Sequence, residues 1–165
     1  MTVLPVPAIA APATVQQFLL FRQKDSYFAI ELTKVCEVLF LKDQLLASVP
    51  NTASFILGLT NLRGEILVVA DFGRLSNIGA VELQRAQSRI LVLEIPDPQN
   101  MQLLPLHVGV AVSQVEGVVS LNPDQIVSAM DVSPELAPVL KGLYDYEGRF
   151  LMILDAEAIA QSQHW

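Results

Sequence analysis

The chain has 165 residues, of which 52% are hydrophobic and 16% charged, and it carries a net charge of −7. So much apolar material excludes a chain disordered throughout, and ten scattered Lys and Arg against seventeen Asp and Glu do not make the basic footprint of a nucleic-acid binder. No apolar run approaches the roughly 18 residues of a membrane helix, and a single cysteine, Cys36, can form neither an internal disulfide nor a thiolate metal site by itself.

The opening stretch MTVLPVPAIAAPATVQQ is apolar but has no basic segment, and Pro5, Pro7 and Pro12 interrupt it. It reads as a flexible tail over 1–16 of a cytoplasmic protein, not as a secretion signal. FLLFRQ (18–23) alternates weakly. YFAIELTKVCEVL (27–39) puts Phe28, Ile30 and Leu32 on one face by period two. Cys36 falls in this alternation, where a buried structural thiol is the default. Thr52 to Leu59, after Pro50, reads as a short helical turn. EILVVADF (65–72) is a continuous apolar run, as in a strand buried on both faces. RILVLEI (89–95), HVGVAVSQVEGVVSL (107–121) and RFLMILD (149–155) repeat these textures. Ser133 before Pro134 marks a helix start, and Asp155 caps a last helix through Gln161. Turn residues at Lys24-Asp25-Ser26, Pro96-Asp97-Pro98, Asn122-Pro123-Asp124 and Glu147-Gly148 separate the strands. His107 and His164 stand far apart, so a zinc site is set aside.

Two segments share one frame. GLTNLRGEILVVAD (58–71) and GLYDYEGRFLMILD (142–155) both read Gly-Leu, four residues, Gly, then an apolar strand ending in Asp. Upstream, Phe28, Ile30, Leu32, Val35 and Val38 align with Val108, Val110, Val112, Val115 and Val118. Glycine turns and apolar strands are common, but here two motifs recur in the same order. The reading is a duplicated β unit of about 70–80 residues, too small to hold much core alone. Two such units packed on a common seam, roughly 17–88 and 89–161 with strands free to cross over, give an all-β fold of two small barrels. Closed barrels would also remove exposed edges.

Catalytic sets fail one by one. Asp71-Phe72-Gly73 matches a magnesium-binding tripeptide of kinases, but no Gly-rich loop, strand lysine or catalytic loop precedes it. The recurring Asp71 and Asp155 raise an aspartic-type hydrolase as a remote alternative. Yet neither stands in the Asp-Thr-Gly or Asp-Ser-Gly context that such chemistry uses, and Asp155 suits a helix cap. No nucleophile elbow or phosphate loop occurs. The chain therefore reads as a binding module, with no enzyme activity, cofactor or metal. Its outstanding residues are Asn61-Leu62-Arg63-Gly64, where Gly64 supplies the positive φ of a tight turn. Paired with Glu37 of the earlier strand, Arg63 would form a two-pronged charge pair framed by apolar side chains. The same Arg63 also reads as a plain surface arginine on a turn.

In combination these residues resemble the CheW-like domain family. NTASFILGLTNLRGEILVVADF (51–72) is similar to its signature segment. Tyr27 to Ile30 and Val35 to Val38 resemble its first hairpin and Val-x-Glu-Val tetrad. VGVAVSQVEGVVSLNPDQI (108–126) and LKGLYDYEGRFLMILDAEAIA (140–160) resemble its later motifs. The resemblance covers about 17–161. It implies two SH3-like five-stranded β-barrels around a shared hydrophobic core, with short helices. It also implies an adaptor that joins a chemoreceptor tip, received in a groove near the seam, to the regulatory domain of a CheA-type histidine kinase. Such adaptors serve swimming chemotaxis or type IV pilus motility. An alternative is a CheW-like regulator or spacer that binds receptor without kinase coupling. By resemblance, Val35, Glu37, Val38, Gly58 and Arg63 fall at coupling positions, and Asn61, Leu62 and Gly64 shape the turn that presents Arg63. The chain departs from the pattern at Ala53, where the family has Pro, at Ser113, where it has Asp, and in a long loop from Pro96 to Pro105 with three prolines.

Overall fold

The computed structural model describes residues 14–97, 104–129 and 131–161. Ten strands follow one another: β1 (Gln16–Gln23), β2 (Ser26–Glu31), β3 (Val35–Phe40), β4 (Ile56–Leu62), β5 (Glu65–Asp71), β6 (Arg89–Ile95), β7 (Leu106–Val112), β8 (Gln114–Leu121), β9 (Leu140–Tyr146) and β10 (Arg149–Leu154). Helix α1 (Phe72–Leu75) follows β5 and α2 (Ala156–Ala160) follows β10. The all-β class is thus observed. Most of the tail expected over 1–16 lies outside the described residues, as do residues 98–103 of the proline-rich loop, and Gln16 already belongs to β1.

The strands form two five-stranded sheets, ordered β8-β1-β2-β10-β9 and β3-β6-β7-β5-β4. Matching β1 to β6, β2 to β7 and so on through β5 to β10 turns one order into the other. The duplication read from sequence is therefore built into the sheets, but with an exchange. Each repeat gives its first hairpin to one sheet and its last three strands to the other. The division expected near residues 88 and 89 separates the repeats along the chain, while each sheet draws strands from both. The exchange requires the parallel pairs β2–β10 and β5–β7, because distant segments need no tight turn to lie parallel. Closed barrels were expected, and the sheets are instead open. Neither ladder returns to its first strand, and in the second sheet the edge strands are linked by side chains.

Alternation along the hairpins divides the core into three. Leu19, Phe21, Phe28 and Ile30 face Leu91, Leu93, Ile95, Val108, Val110 and Val112 in one buried cluster shared by the two sheets. Phe21, Phe28 and Phe72 sit at its centre, with ring centroids 4.7 to 5.4 Å apart, spacings at which aromatic pairs attract. The opposite faces fill a smaller core beneath each sheet, Phe18 and Ala29 in one and Ile90, Val92 and Ala111 in the other. Strands buried on both faces must be apolar throughout, which explains the run RILVLEI.

Equivalent joints recur in both halves. The Asp71 N–H donates to the Phe55 carbonyl at 2.6 Å, and the Asp155 N–H to that of Val139 at 2.8 Å. Asp71 accepts from the Arg74 N–H and Asp155 from the Ala158 N–H, at 3.2 and 3.1 Å, capping α1 and α2. Asp71 has a second duty, accepting the buried Val81 N–H at 3.1 Å. Burial pushes its carboxyl above the ordinary value, while these N–H groups pull it back.

Two helical expectations change. Thr52 to Leu59 holds no helix, because β4 begins at Ile56 and Leu59 exchanges both main-chain hydrogen bonds with Ala47. The backbones approach so closely there that a Cβ on Gly58 (φ 150°) would run into the Ala47 carbonyl oxygen, and Gly142 meets Val127 in the same way. After Ser133 only a 3-10 turn forms, Ala137–Val139. Ser133 does cap the bend before it, and Pro138 removes an N–H from any longer helix.

Asp71→Ala leaves a buried N–H without its acceptor as well as removing a cap, so it should cost about 2–4 kcal/mol, against about 1 kcal/mol for Asp155→Ala. Equal losses in urea unfolding would refute the distinction. Gly58→Ala should destabilise by about 2–4 kcal/mol, because a backbone carbonyl cannot yield as a side chain can. An unchanged urea midpoint would rule out the close approach.

Candidate functional site

The β4–β5 hairpin closes through two residues, Arg63 and Gly64, at φ 49° and 88°. A type I′ turn needs both values positive. The sequence reading gave this geometry to Gly64 alone, and Arg63 shares it. Asn61 Oδ1 accepts the Gly64 N–H at 2.8 Å and fixes the turn from within. β4 and β3 are the two edges of their sheet, and from the turn Arg63 reaches β3. Its Nη1 donates to Glu37 Oε1 at 3.1 Å and its Nη2 donates to Oε2.

The pair is two-pronged yet open to water, with side chains 72% exposed at Arg63 and 26% at Glu37. A pair so wet contributes little to folding; what it supplies is a rigid, oriented guanidinium. The hydrogen bonds from Arg63, reinforced by its charge, hold the Glu37 carboxyl below its ordinary range against partial desolvation. Beside it, Val38 and Phe40 show 40% and 49% of their surface, and the Arg89 guanidinium lies 4.1 Å from the centroid of the Phe40 ring.

The fold therefore joins Glu37 and Val38 on β3 to Asn61, Leu62, Arg63 and Gly64 at the turn. Val35 packs partly against the shared core and Leu62 against the core beneath its own sheet. Gly58 is buried at the other end of β4, where it gives room to Ala47. The second repeat has no such pair, since Glu147 and Gly117 occupy the matching positions. A groove lined by Phe55, Arg74 and Leu75 from the first repeat and Pro134, Val139 and Ala158 from the second runs between the halves. Asp71 and Asp155 are spent on capping their own helices, which accounts for their recurrence without catalysis.

Cys36 is exposed, not buried as expected. Burial alternates along β3 without a break, with Cys36, Val38 and Phe40 at the exposed positions. Val35 pairs with Leu93 and Glu37 with Val92, so Cys36 is also the extra residue of a β-bulge. Neighbouring chain partly desolvates the sulfur, and that, followed by the Glu94 charge, pushes the thiol above its ordinary value. The fold also brings His107, which stands 71 positions along the sequence, to Cys36 and Glu94. Sequence reasoning passed over Phe40, Glu94 and His107. Phe40 could have been found by extending the β3 alternation past Val38. The other two depended on a cross-strand register that the sequence does not state.

Residues 17–164 match the CheW-like domain family. The chain is 30% identical to chemotaxis protein CheW of Klebsiella aerogenes over 164 residues, covering 96% of this chain and 89% of that protein. It is 25% identical to chemotaxis protein CheW of Bacillus subtilis, covering 91% and 90%, and 37% identical to protein FrzA of Myxococcus xanthus, covering 70% and 61%. The crystal structure of a CheW scaffolding protein from Thermoanaerobacter tengcongensis shares the fold, with a TM-score of 0.71 at 24% identity and coverage of 85% and 84%. With this family match running from β1 past α2, the chain belongs to the CheW-like domain family.

Proposed function

We propose that this chain is a non-catalytic cytoplasmic adaptor that couples chemoreceptors to a CheA-type histidine kinase, in swimming chemotaxis or pilus motility. The observation that carries the reading is the two-pronged Arg63–Glu37 pair, held on a rigid turn beside exposed Val38 and Phe40. Charge fixes orientation and apolar surface supplies affinity, the combination found at the centre of recognition surfaces. Val35 and Leu62 anchor the pair's two strands, Asn61 and Gly64 set the turn, and Gly58 holds the far end of β4. The groove between the repeats supplies a second contact, for the receptor tip. An adaptor that binds two partners at once acts by holding them in one geometry and needs no turnover. The names of the Klebsiella and Bacillus relatives support a place in chemotaxis.

Calorimetry of the full chain with the regulatory domain of a CheA-type kinase, and separately with a receptor-tip hairpin, tests this. Saturable one-to-one binding of both is expected. Arg63→Ala should weaken one of the two by about tenfold or more, while the melting temperature stays nearly constant, as for other exposed pairs. Binding of the tip alone would make the chain a receptor-bound spacer, and a collapse of the melting temperature would make Arg63 structural.

The charge state can be followed directly. Because Arg63 lowers the Glu37 pKa, the pair is complete above the ordinary glutamate range and is lost only as pH falls through the depressed value. Carboxyl NMR should show the Glu37 midpoint rising toward the ordinary value in Arg63→Ala. Identical midpoints would mean that the pair does not persist in solution.

A further inference from the structure

The fold that leaves Cys36 exposed also sets three different metal-binding side chains together. Cys36, on β3, offers its sulfur, Glu94 on β6 a carboxylate oxygen and His107 on β7 a ring nitrogen, all within 4.8 Å of one another. Glu94 and His107 are direct cross-strand partners. From β5, Glu65 Oε2 stands 3.2 Å from His107 Nδ1, while His107 Nε2 lies 3.9 Å from Glu94 Oε2. An imidazole that donates its Nδ1–H to a carboxylate leaves its Nε2 lone pair free for a metal, the usual second-layer support of a ligating histidine.

The internal duplication provides a control within the molecule. At the matching place in the other sheet, the bulge between β1 and β8 makes Glu116 the extra residue. Arg22 and Tyr27 are the matching cross-strand partners. Arg22 reaches Glu116 at 3.9 Å, and Arg149, which matches Glu65, covers the Tyr27 ring at 4.1 Å. There two arginines outweigh one carboxylate and the cluster is complete in itself. In the Cys36 cluster the same four backbone positions carry a thiol, an imidazole and two carboxylates with no cation among them, and the nearby Arg63 is engaged by Glu37. One scaffold has thus been furnished with ligating side chains in one copy and with a cation-rich set in the other.

We propose that Cys36, Glu94 and His107 form a binding site for a divalent cation of the zinc class, with Glu65 orienting the imidazole. Thiolate and imidazole donors select such ions over magnesium or calcium. Bond lengths of about 2.0–2.3 Å require the three donors to close in by roughly 1 Å, with water as fourth ligand. Side chains at the surface have that freedom, and the site opens to solvent. The ion would clamp β3 to β6 and β7 one residue from Glu37.

The test uses the full chain, reduced and stripped of metal, titrated with cobalt(II) as a spectroscopic stand-in for zinc. A thiolate-to-cobalt charge-transfer band should saturate at one ion per chain and vanish when zinc is added. Cys36→Ser should abolish the band. His107→Ala and Glu94→Gln should each weaken binding by at least about tenfold. Glu65→Gln should weaken it about ten- to hundredfold while keeping the band, the mark of a supporting residue. His164→Ala, the control for the other histidine, should change nothing. No band with wild-type protein that circular dichroism shows to be folded would overturn the proposal. So would a band that survives both His107→Ala and Glu94→Gln, or one that depends on His164.

Discussion

The whole molecule depends on one constraint, that the hairpins β1–β2 and β6–β7 are apolar on both faces. One face of each meets the other around Phe21, Phe28 and Phe72, and the opposite face needs a cover of its own. A hairpin cannot cover itself, and a two-stranded piece is marginal in water. The cover comes from the last three strands of the other repeat. Neither repeat therefore makes a complete sheet alone, and the exchanged arrangement ties folding of the two halves together. Gln23 shows how tightly. Its buried side chain donates to the Gly79 carbonyl and accepts the Ser113 N–H, joining the end of β1 to segments near α1 and β7.

Much of this was legible in the sequence, because the signals were local. Period-two alternation, the glycine frame and the capping Asp155 each report on a few consecutive residues and correspond to observed strands, turns and a cap, whereas the cap made by Asp71 emerges only in the structure. Pairing partners are another matter. When a chain carries two copies of one strand pattern, the third strand of either copy satisfies the hairpin of either, and the hydrophobic pattern is the same in both arrangements. The sequence leaves the exchange open for that reason, whereas the closed barrels it led us to expect do not form, because closure turns on edges rather than on faces.

The site divides in the same way. Arg63 and Glu37 could be paired from sequence because a tight turn and one acidic residue in an apolar strand leave few partners. Alternation sets Cys36 with Val38 and Phe40 on one side of VCEVLF, but which side is covered depends on neighbouring strands that the sequence does not state. Leu59 was read as helical for a related reason. A short apolar stretch after a proline fits a helical turn as well as a strand, and the pairing of β4 with β5, together with the bridge to Ala47, decides.

Duplication also explains why a fold so symmetric presents surfaces so unlike. The backbone joints are kept in both copies: Asn61 and Asp145 brace matching turns, and Asp71 and Asp155 cap matching helices. Those side chains answer to main-chain N–H groups that the fold fixes, so neither copy can lose them without cost. Outward positions answer to no such demand. Arg63 is matched by Glu147, Glu37 by Gly117 and Cys36 by Glu116, and each change leaves the joint beneath it intact. A duplicated β unit with a shared core can thus hold its architecture through buried hydrogen bonds and aromatic packing while one copy alone acquires a two-pronged surface charge pair. In this chain that differentiation is concentrated along β3 and the β4–β5 turn, where the sheet's two edges come within reach of one arginine.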